Sequence, residues 1–212
     1  MGVNYMVTIY LTRHGQTEWN IEKRLQGHGN SPLTDAGIKR AEELSKRLKD
    51  IKIECIYTSP IERAYKTASI LKGNKEIELI THDGLKEMNF GDFEGKITEE
   101  VMQENPDWDI NLIMQGNLEM RAPNGETLAE VRERVSKAMD EIIKDNDGKS
   151  ILIVAHGITL KAIMNYFKDK DVNSEVMGQA TLTKVNIDGE NFEIEFKNDG
   201  SHFTMKEEKQ GW

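Results

Sequence analysis

The run SILIVA at residues 150–155 is apolar at almost every position. A strand that is apolar on both faces is buried on both faces, as in parallel sheets that helices cover on each side. Elsewhere in the chain, short apolar runs alternate with longer stretches of helical periodicity, a pattern typical of layered α/β proteins. The sequence therefore predicts a three-layer α/β/α sandwich around a mostly parallel central sheet.

Short runs rich in β-branched and aromatic residues predict the other strands. These strands lie at 6–11, 51–57, 77–80, 181–187 and 192–196, and the last two form a terminal hairpin around the turn DGEN. Apolar residues at helical spacing predict helices at 34–49, 127–144 and 158–167. Thr34 is the predicted N-cap of the first helix. A further helix is predicted to start with Ser59 as N-cap, Pro60 as its first residue and Glu62 as its third.

The segment at 97–121 differs from the rest of the chain, because it is polar and contains Trp108 and three methionines. We interpret it as a small helical insertion between core strands that forms a lid, and we expect its methionines to pack rather than to recognise a ligand. One domain is predicted over 1–203, followed by a polar C-terminal tail at 204–212.

The charge balance excludes some partners, since 28 Lys and Arg stand against 37 Asp and Glu and give a formal net charge of −9. Nucleic acids and anionic membranes require concentrated positive charge, so neither is a predicted partner. Cys55 is the single cysteine and lies in an apolar run, which predicts a buried strand thiol. With neither a signal peptide pattern nor a membrane-spanning run, we expect a cytoplasmic protein whose oligomeric state is open.

Polar residues of catalytic type follow four of the predicted strands. They are Arg13 and His14 after the first strand, Arg63 in the first turn of the helix after the second, Glu87 in the loop after the third, and His156 after 150–155. In open parallel sheets, ligands bind beyond the carboxyl ends of the strands, so these side chains are expected to share one cleft. Two arginines, two histidines and a carboxylate suit an anionic substrate, a nucleophile and an acid–base group.

Six sequence blocks in order resemble the histidine phosphatase superfamily, the cofactor-dependent phosphoglycerate mutase-like proteins. The blocks are LTRHGQTEWN at 11–20, RLQGHGNSPLTDAG at 24–37, YTSPIERAYKTA at 57–68, LKEMNFGDFEG at 85–95, PNGETLAEV at 123–131 and VAHG at 154–157. The ending NDGSHF at 198–203 also resembles the close of the phosphatase branch.

The resemblance implies a role for each matching residue. His14 would take the phosphoryl group as a phosphohistidine, and Glu87 would give a proton to the leaving oxygen and then act as base for water. The phosphoryl oxygens would be surrounded by Arg13, Arg63 and His156. Positions that line the phosphate pocket in the family are matched by Thr17, Asn20, Gln26 and Gly27, with Gly157 beside His156. No cofactor or metal is implied.

These roles agree with the physical requirements of phosphoryl transfer, in which charge spreads over three equatorial oxygens. The arginines supply forked donors and should disfavour protonation of His14. His28 and Asn30 replace an aromatic residue and an Asp that are frequent in the family, and we expect neither to touch the catalytic set. The histidines at positions 28, 82 and 202 are predicted to be structural or exposed to solvent.

Only 69 positions separate Glu87 from His156, which resembles the shorter phosphatase branch. The sequence therefore predicts a metal-independent phosphomonoesterase of the histidine acid-phosphatase type, acting on a small phosphorylated metabolite. The first alternative is transfer of the phosphoglycerate mutase type. Two weaker alternatives are a hydrolase with a metal held by Asp83, Glu87 and the two histidines, and a phospho-ligand binder without turnover.

Overall fold

A computed structural model of the protein describes residues 5–169, 171–172 and 176–204. Within these residues one sheet is formed by β1 (Met6–Arg13), β2 (Cys55–Thr58), β3 (Glu78–Thr81), β4 (Ser150–Ala155), β5 (Leu182–Asp188) and β6 (Asn191–Asp199). The strand order is β3-β2-β4-β1-β5-β6. The first four strands in this order are parallel, whereas β5 pairs antiparallel with β1 and with β6. The mostly parallel sheet and its terminal hairpin are thus confirmed.

Strand β4 lies between β2 and β1 and is covered on both faces, as SILIVA predicts. Ile151 and Ile153 pack into one apolar cluster, and Leu152 and Val154 pack into another, all with 0% exposure. Alternate residues of a strand point to opposite faces, so the two clusters are the two cores of a three-layer sandwich. The predicted fold class is confirmed.

Seven α-helices accompany the sheet in the described residues. They are α1 (Glu18–Ile21), α2 (Asp35–Arg47), α3 (Glu62–Lys72), α4 (Thr98–Glu104), α5 (Ile110–Met114), α6 (Leu128–Asp145) and α7 (Gly157–Tyr166). Leu44 of α2 and Ala68 of α3 belong to the core on one face of the sheet. Val135 of α6 and Ile163 of α7 belong to the core on the other face.

One of the two helix starts predicted from capping residues is confirmed and the other is wrong. Thr34 accepts a hydrogen bond from the backbone N–H of Gly37, as predicted for the N-cap of α2. The prediction for α3 was wrong, because this helix starts at Glu62 and not near Ser59. The Ser59 hydroxyl instead accepts the N–H of Ile61 over 3.2 Å, which closes a turn before the helix.

Strand boundaries also differ from the prediction: β1 ends at Arg13, β5 is Leu182–Asp188 and β6 is Asn191–Asp199, and β2 and β3 differ as well. Strand β2 begins at Cys55 and not at residue 51, because α2 continues into a 3₁₀ turn at Leu48–Asp50 and 51–54 only lead into the ladder. Strand β3 is shifted by one residue and ends at Thr81. Cys55 is buried and free, as expected.

The segment at 97–121 is helical in two short pieces, α4 and α5, and Trp108 docks it against the loop that follows Glu87. The Trp108 ring is 5% exposed and packs edge-on against Phe90 and Phe93, with centroid distances of 6.3 and 5.1 Å. That this segment acts as a lid stays a prediction, as does the division between a domain at 1–203 and a tail. Of the tail, only Thr204 lies within the described residues. None of the described helices is both long enough and apolar enough to cross a membrane.

Candidate active site

A cleft of about 550 Å³ opens at the carboxyl edge of the parallel strands. Arg13, His14, Arg63 and Glu87 all line it, although they come from three separate stretches of the chain. His14 follows β1, and its backbone N–H donates to Ala155 at the end of the neighbouring strand β4 over 3.0 Å. The strand-end pattern in the sequence thus corresponds to one place in the structure.

The ring of His14 is buried and held in one tautomer. Its Nδ1 lies 2.7 Å from the carbonyl oxygen of Gly15, which can only accept a hydrogen bond, so Nδ1 carries the proton. Its Nε2 lies 3.2 Å from Nε of Arg63, which can only donate. Nε2 therefore has the lone pair and is the ring atom able to act as a nucleophile.

Arg63 is 1% exposed and makes three hydrogen bonds in a fork. Besides contacting His14, its two terminal nitrogens donate to the carbonyl oxygens of Gly29 and Gly27, both over 2.7 Å. Burial lowers the pKa of Arg63 to about 10, so the guanidinium remains charged at neutral pH. Arg63 thus supplies a fixed positive charge beside Nε2 of His14.

His156 lies behind His14, with the two rings edge-on at a centroid distance of 5.1 Å. Its side chain is fully buried, and both of its ring nitrogens lack a hydrogen-bond partner among the described residues, as does the buried Nε of Arg13. Buried polar atoms are nearly always satisfied, so these three atoms fit a site for a polar ligand.

Both histidines are strongly biased toward the neutral form. Burial is the main reason that the pKa of His14 lies well below 6.5, and the charges of Arg63 and then Arg13 lower it further. Burial likewise holds the pKa of His156 well below 6.5, with Arg63 contributing next. The expected effect of the arginines on His14 is present, but desolvation is the larger cause.

The carboxylate of Glu87 reaches across to the N-terminus of α7. Its Oε1 accepts the backbone N–H of Thr159 over 3.1 Å, and its Oε2 accepts the backbone N–H of Ile158 over 3.2 Å. The Thr159 hydroxyl lies 3.2 Å from Oε1 and 2.6 Å from the Lys86 carbonyl oxygen. These contacts hold the carboxylate at the cleft wall.

Arg134, on α6, organises the loop that carries Glu87. Its guanidinium donates to the carbonyl oxygens of Gly84, Lys86 and Glu87 over 2.8–3.0 Å and also pairs with Glu126. Sequence reasoning missed this residue because these contacts join positions that are about 50 residues apart. It also missed Thr159, although a threonine in the first turn of an otherwise apolar helix is a usable signal.

The predicted phosphate-lining residues fall into two groups. Asn20, Gln26, Gly27 and Gly157 line the cleft, whereas Thr17 is buried and does not line it. The Thr17 hydroxyl is 2.9 Å from Oδ1 of Asn20 and 3.1 Å from Oε1 of Gln26. Thr17 therefore orients two lining side chains.

The expectation that His28 and Asn30 touch none of the catalytic set was wrong. Nε2 of His28 lies 3.0 Å from the carbonyl oxygen of Glu87. Oδ1 of Asn30 accepts the backbone N–H of Arg63 over 3.3 Å. Both residues sit in the loop between α1 and α2, which Glu94 secures by accepting the N–H groups of His28 and Gly29, each over 2.7 Å.

The methionines of the 97–121 segment do more than pack. Met102 and Met114 line the cleft as well as contacting the core, so the expectation was incomplete. The histidines at 82 and 202 are structural, as expected: His82 caps Gly84 and pairs with Glu141, and His202 contacts the Ala180 carbonyl oxygen.

The side chains considered as metal ligands, namely Asp83, Glu87 and the two histidines, do not form a cluster with ligand geometry. Asp83 is exposed and pairs with Lys86, and the Glu87 oxygens are engaged with α7. No group of three or more His, Cys, Asp or Glu with ligand geometry occurs in the part of the chain that the structure describes.

The chain is similar to known proteins over most of its length. The family model described as Histidine phosphatase superfamily (branch 1) matches residues 9–200. The Bacillus subtilis (strain 168) protein named uncharacterized phosphatase PhoE is 31% identical over 201 residues, which cover 94% of this chain and 98% of that relative. Probable phosphoglycerate mutase GpmB of Escherichia coli is 33% identical over 160 residues, which cover 76% of this chain and 74% of that protein.

Among solved structures, Bacillus stearothermophilus YhfR superimposes with a TM-score of 0.83 at 36% identity, covering 92% of this chain and 98% of that chain. The central six-strand sheet of this chain, flanked by helices, is therefore a fold that the two proteins share. The family model covers most of the chain, from β1 to the end of β6. This chain belongs to the histidine phosphatase superfamily, branch 1.

Proposed function

We propose that this enzyme is a metal-independent phosphomonoesterase that hydrolyses small phosphorylated metabolites through a phosphohistidine on Nε2 of His14. The observation that carries the proposal is the fixed tautomer of His14. Its protonated Nδ1 is bound to Gly15, and its Nε2 lone pair faces the cleft floor beside Arg63. A neutral imidazole held in one orientation is an activated nucleophile that needs no separate base.

In the first step, the Nε2 lone pair attacks phosphorus and the bond between phosphorus and the alcohol oxygen breaks. Glu87 gives its proton to the departing oxygen. Arg63 and Arg13 offer donors to the three equatorial oxygens, and His156 completes the surrounding group. The N–H of His14 toward Gly15 stays in place, so the phosphorylated ring is an imidazolium and a good leaving group.

In the second step, water attacks the phosphohistidine and Glu87 takes a proton from it. The bond between Nε2 and phosphorus breaks, its electron pair returns to Nε2, and inorganic phosphate leaves. The use of one carboxyl group as acid and then as base follows from microscopic reversibility.

The label test for this pathway uses a phosphate donor labelled on phosphorus, followed by a quench that preserves acid-labile phosphohistidine. We expect label on the wild-type chain and none on His14→Ala. Label of equal amount on His14→Ala contradicts the assignment.

Turnover of an aryl phosphate is expected to be undiminished after exhaustive chelation. A loss of turnover that added metal restores would favour the metal-dependent alternative.

Mutase-type transfer is the second candidate, and the similarity to a probable phosphoglycerate mutase favours it. The two activities differ in product. With 3-phosphoglycerate and its bisphosphate, a mutase forms 2-phosphoglycerate, whereas a phosphatase releases inorganic phosphate. We expect phosphate release. An absence of both products with every donor tested would favour a binder without turnover.

A further inference from the structure

The cleft is chemically divided between its floor and its outer wall. Beyond the residues that face the phosphoryl position, apolar side chains form a continuous part of the lining, with charged and polar residues beside them. We call the following six residues the apolar wall: Leu25, Phe90, Ile97, Met102, Ile110 and Met114. Four of them come from α4, α5 and the residue before α4. A phosphoryl group is small beside a cleft of about 550 Å³, so the wall faces the rest of the substrate.

The charges at the mouth of the cleft offer little to an anionic substituent. Beyond the floor, the described basic residues that line the cleft are Lys23 and Arg24, and the acidic residues Glu22 and Glu99 balance them. Arg24 is already engaged, since its guanidinium pairs with Glu22 and donates to the Gly95 carbonyl oxygen over 2.7 Å. Lys23 is exposed to solvent.

Two uncharged polar residues of the lining already have partners: the Thr98 hydroxyl donates to the Lys23 carbonyl oxygen and the Asn111 amide to Oδ1 of Asp109, each over 2.9 Å. A carboxylate or a row of sugar hydroxyls would therefore lose hydration against the apolar wall and gain few partners. An apolar group gains free energy in proportion to the area that it buries. We propose that the preferred substrates are phosphomonoesters of apolar, uncharged alcohols longer than three carbons, and not phosphorylated carboxylic acids. This inference rests on the proposed function, because it names the substrate class of the same site.

A homologous series of n-alkyl phosphates, from ethyl to octyl, tests the inference. The leaving alcohols have nearly the same acidity, so differences in kcat/KM between the esters report how much of the alkyl group is buried. Each added methylene should raise kcat/KM by about three- to fourfold until the wall is filled, since burying one methylene contributes about that factor. Hexyl phosphate should exceed 3-phosphoglycerate by roughly tenfold or more.

A matched pair of variants assigns the effect to the wall. Met102→Gln keeps the length of the side chain and makes it polar, and it should lower the ratio of hexyl to ethyl phosphate turnover by roughly fivefold. Leu112→Gln makes a similar change on α5, but Leu112 is 42% exposed and does not line the cleft, so the ratio should stay at the wild-type value. An equal effect of both variants overturns the assignment.

The two proposals fail differently. Hydrolysis of ethyl phosphate with a flat dependence on chain length, or a higher kcat/KM for 3-phosphoglycerate than for hexyl phosphate, overturns the substrate class and leaves the phosphatase intact. Release of no phosphate from any ester, with no label on His14, overturns both. A rise of kcat/KM with alkyl chain length that is smaller in Met102→Gln than in the wild type supports both proposals.

Discussion

Oε1 of Glu87 lies 3.1 Å from the backbone nitrogen of Thr159, so the proposed acid–base group is also the side-chain cap of α7. The N-cap residue of this helix, His156, makes no capping bond with its own side chain. Two of the four N–H groups that a helix start leaves unpaired are instead satisfied by a carboxylate from a distant loop. The proposed chemistry and the capping of α7 therefore depend on the same side chain.

Substitutions at Glu87 separate these two effects. Glu87→Gln keeps one acceptor oxygen but cannot move a proton, so kcat should fall by about 10²–10⁴-fold with little loss of stability. Glu87→Ala also removes the cap, and it should lower the free energy of unfolding by about 1 kcal/mol more than Glu87→Gln does. Steady-state kinetics and urea unfolding check the pair. Equal stability of the two variants would show that the cap contributes nothing.

Thr159 is expected to position Glu87 through its hydroxyl, which bridges toward the Lys86 carbonyl oxygen and the carboxylate. Thr159→Val keeps the shape and removes the hydroxyl, and it should lower kcat by roughly fivefold, the effect of losing one buried hydrogen bond of about 1 kcal/mol. Thr159→Ser should retain most of the rate. A serine variant as slow as the valine variant would indicate a packing role for the methyl group.

Gly27 has a positive φ of 52°, and a Cβ there would stand 2.0 Å from Oε1 of Glu94. Gly27→Ala must therefore displace Glu94 and the Gly27 carbonyl oxygen that binds Arg63. Gly148→Ala is the matched control, because Gly148 has a φ of 73° with nothing within 4 Å of the added Cβ. The control should cost about 1–2 kcal/mol of stability and no activity. Gly27→Ala should cost more and should also reduce kcat/KM by about 100-fold.

The neutral histidines predict a pH dependence of stability. His14, His156 and His202 have lowered pKa values in the folded state, so unfolding takes up protons below pH 6.5. Their contribution is fully present above pH 6.5 and is lost as the pH falls from there toward the folded-state values. The urea midpoint should therefore decrease between pH 7.5 and 5, and His156→Asn should flatten that decrease. An unchanged slope in the variant would mean that His156 is not the group that titrates.

Local patterns predicted the features that depend on local chemistry. SILIVA indicates a doubly covered strand from its composition alone, and Thr34 caps α2 as its position suggests. Convergence of the strand-end residues follows from parallel topology and needs no further contact information. Ser59 shows the limit of such signals, because the same hydroxyl can cap a helix or close a turn, and here it closes a turn.

The contacts that the sequence did not reveal are those between distant segments. Arg134 supports the Glu87 loop from α6, and Glu94 secures the loop around His28. Nothing local in either sequence neighbourhood marks these carboxylate and guanidinium groups as partners of backbone atoms. The cleft lining by Met102 was missed for the same reason, since an apolar residue on a short helix can face the core, a cleft or both.

The floor and the apolar wall of the cleft also differ in how their residues are distributed along the sequence. The residues at its floor are anchored to strand ends and to α3 and α7, whereas much of the apolar wall lies in the single stretch from Ile97 to Met114. Trp108 packs that stretch against Phe90 and Phe93, and the backbone N–H of Thr98 donates to the Lys23 carbonyl oxygen over 2.9 Å. If the proposed wall selects the alcohol, exchange of this stretch, about one-tenth of the chain, should change the preferred alcohol and leave the residues proposed for phosphoryl transfer unchanged.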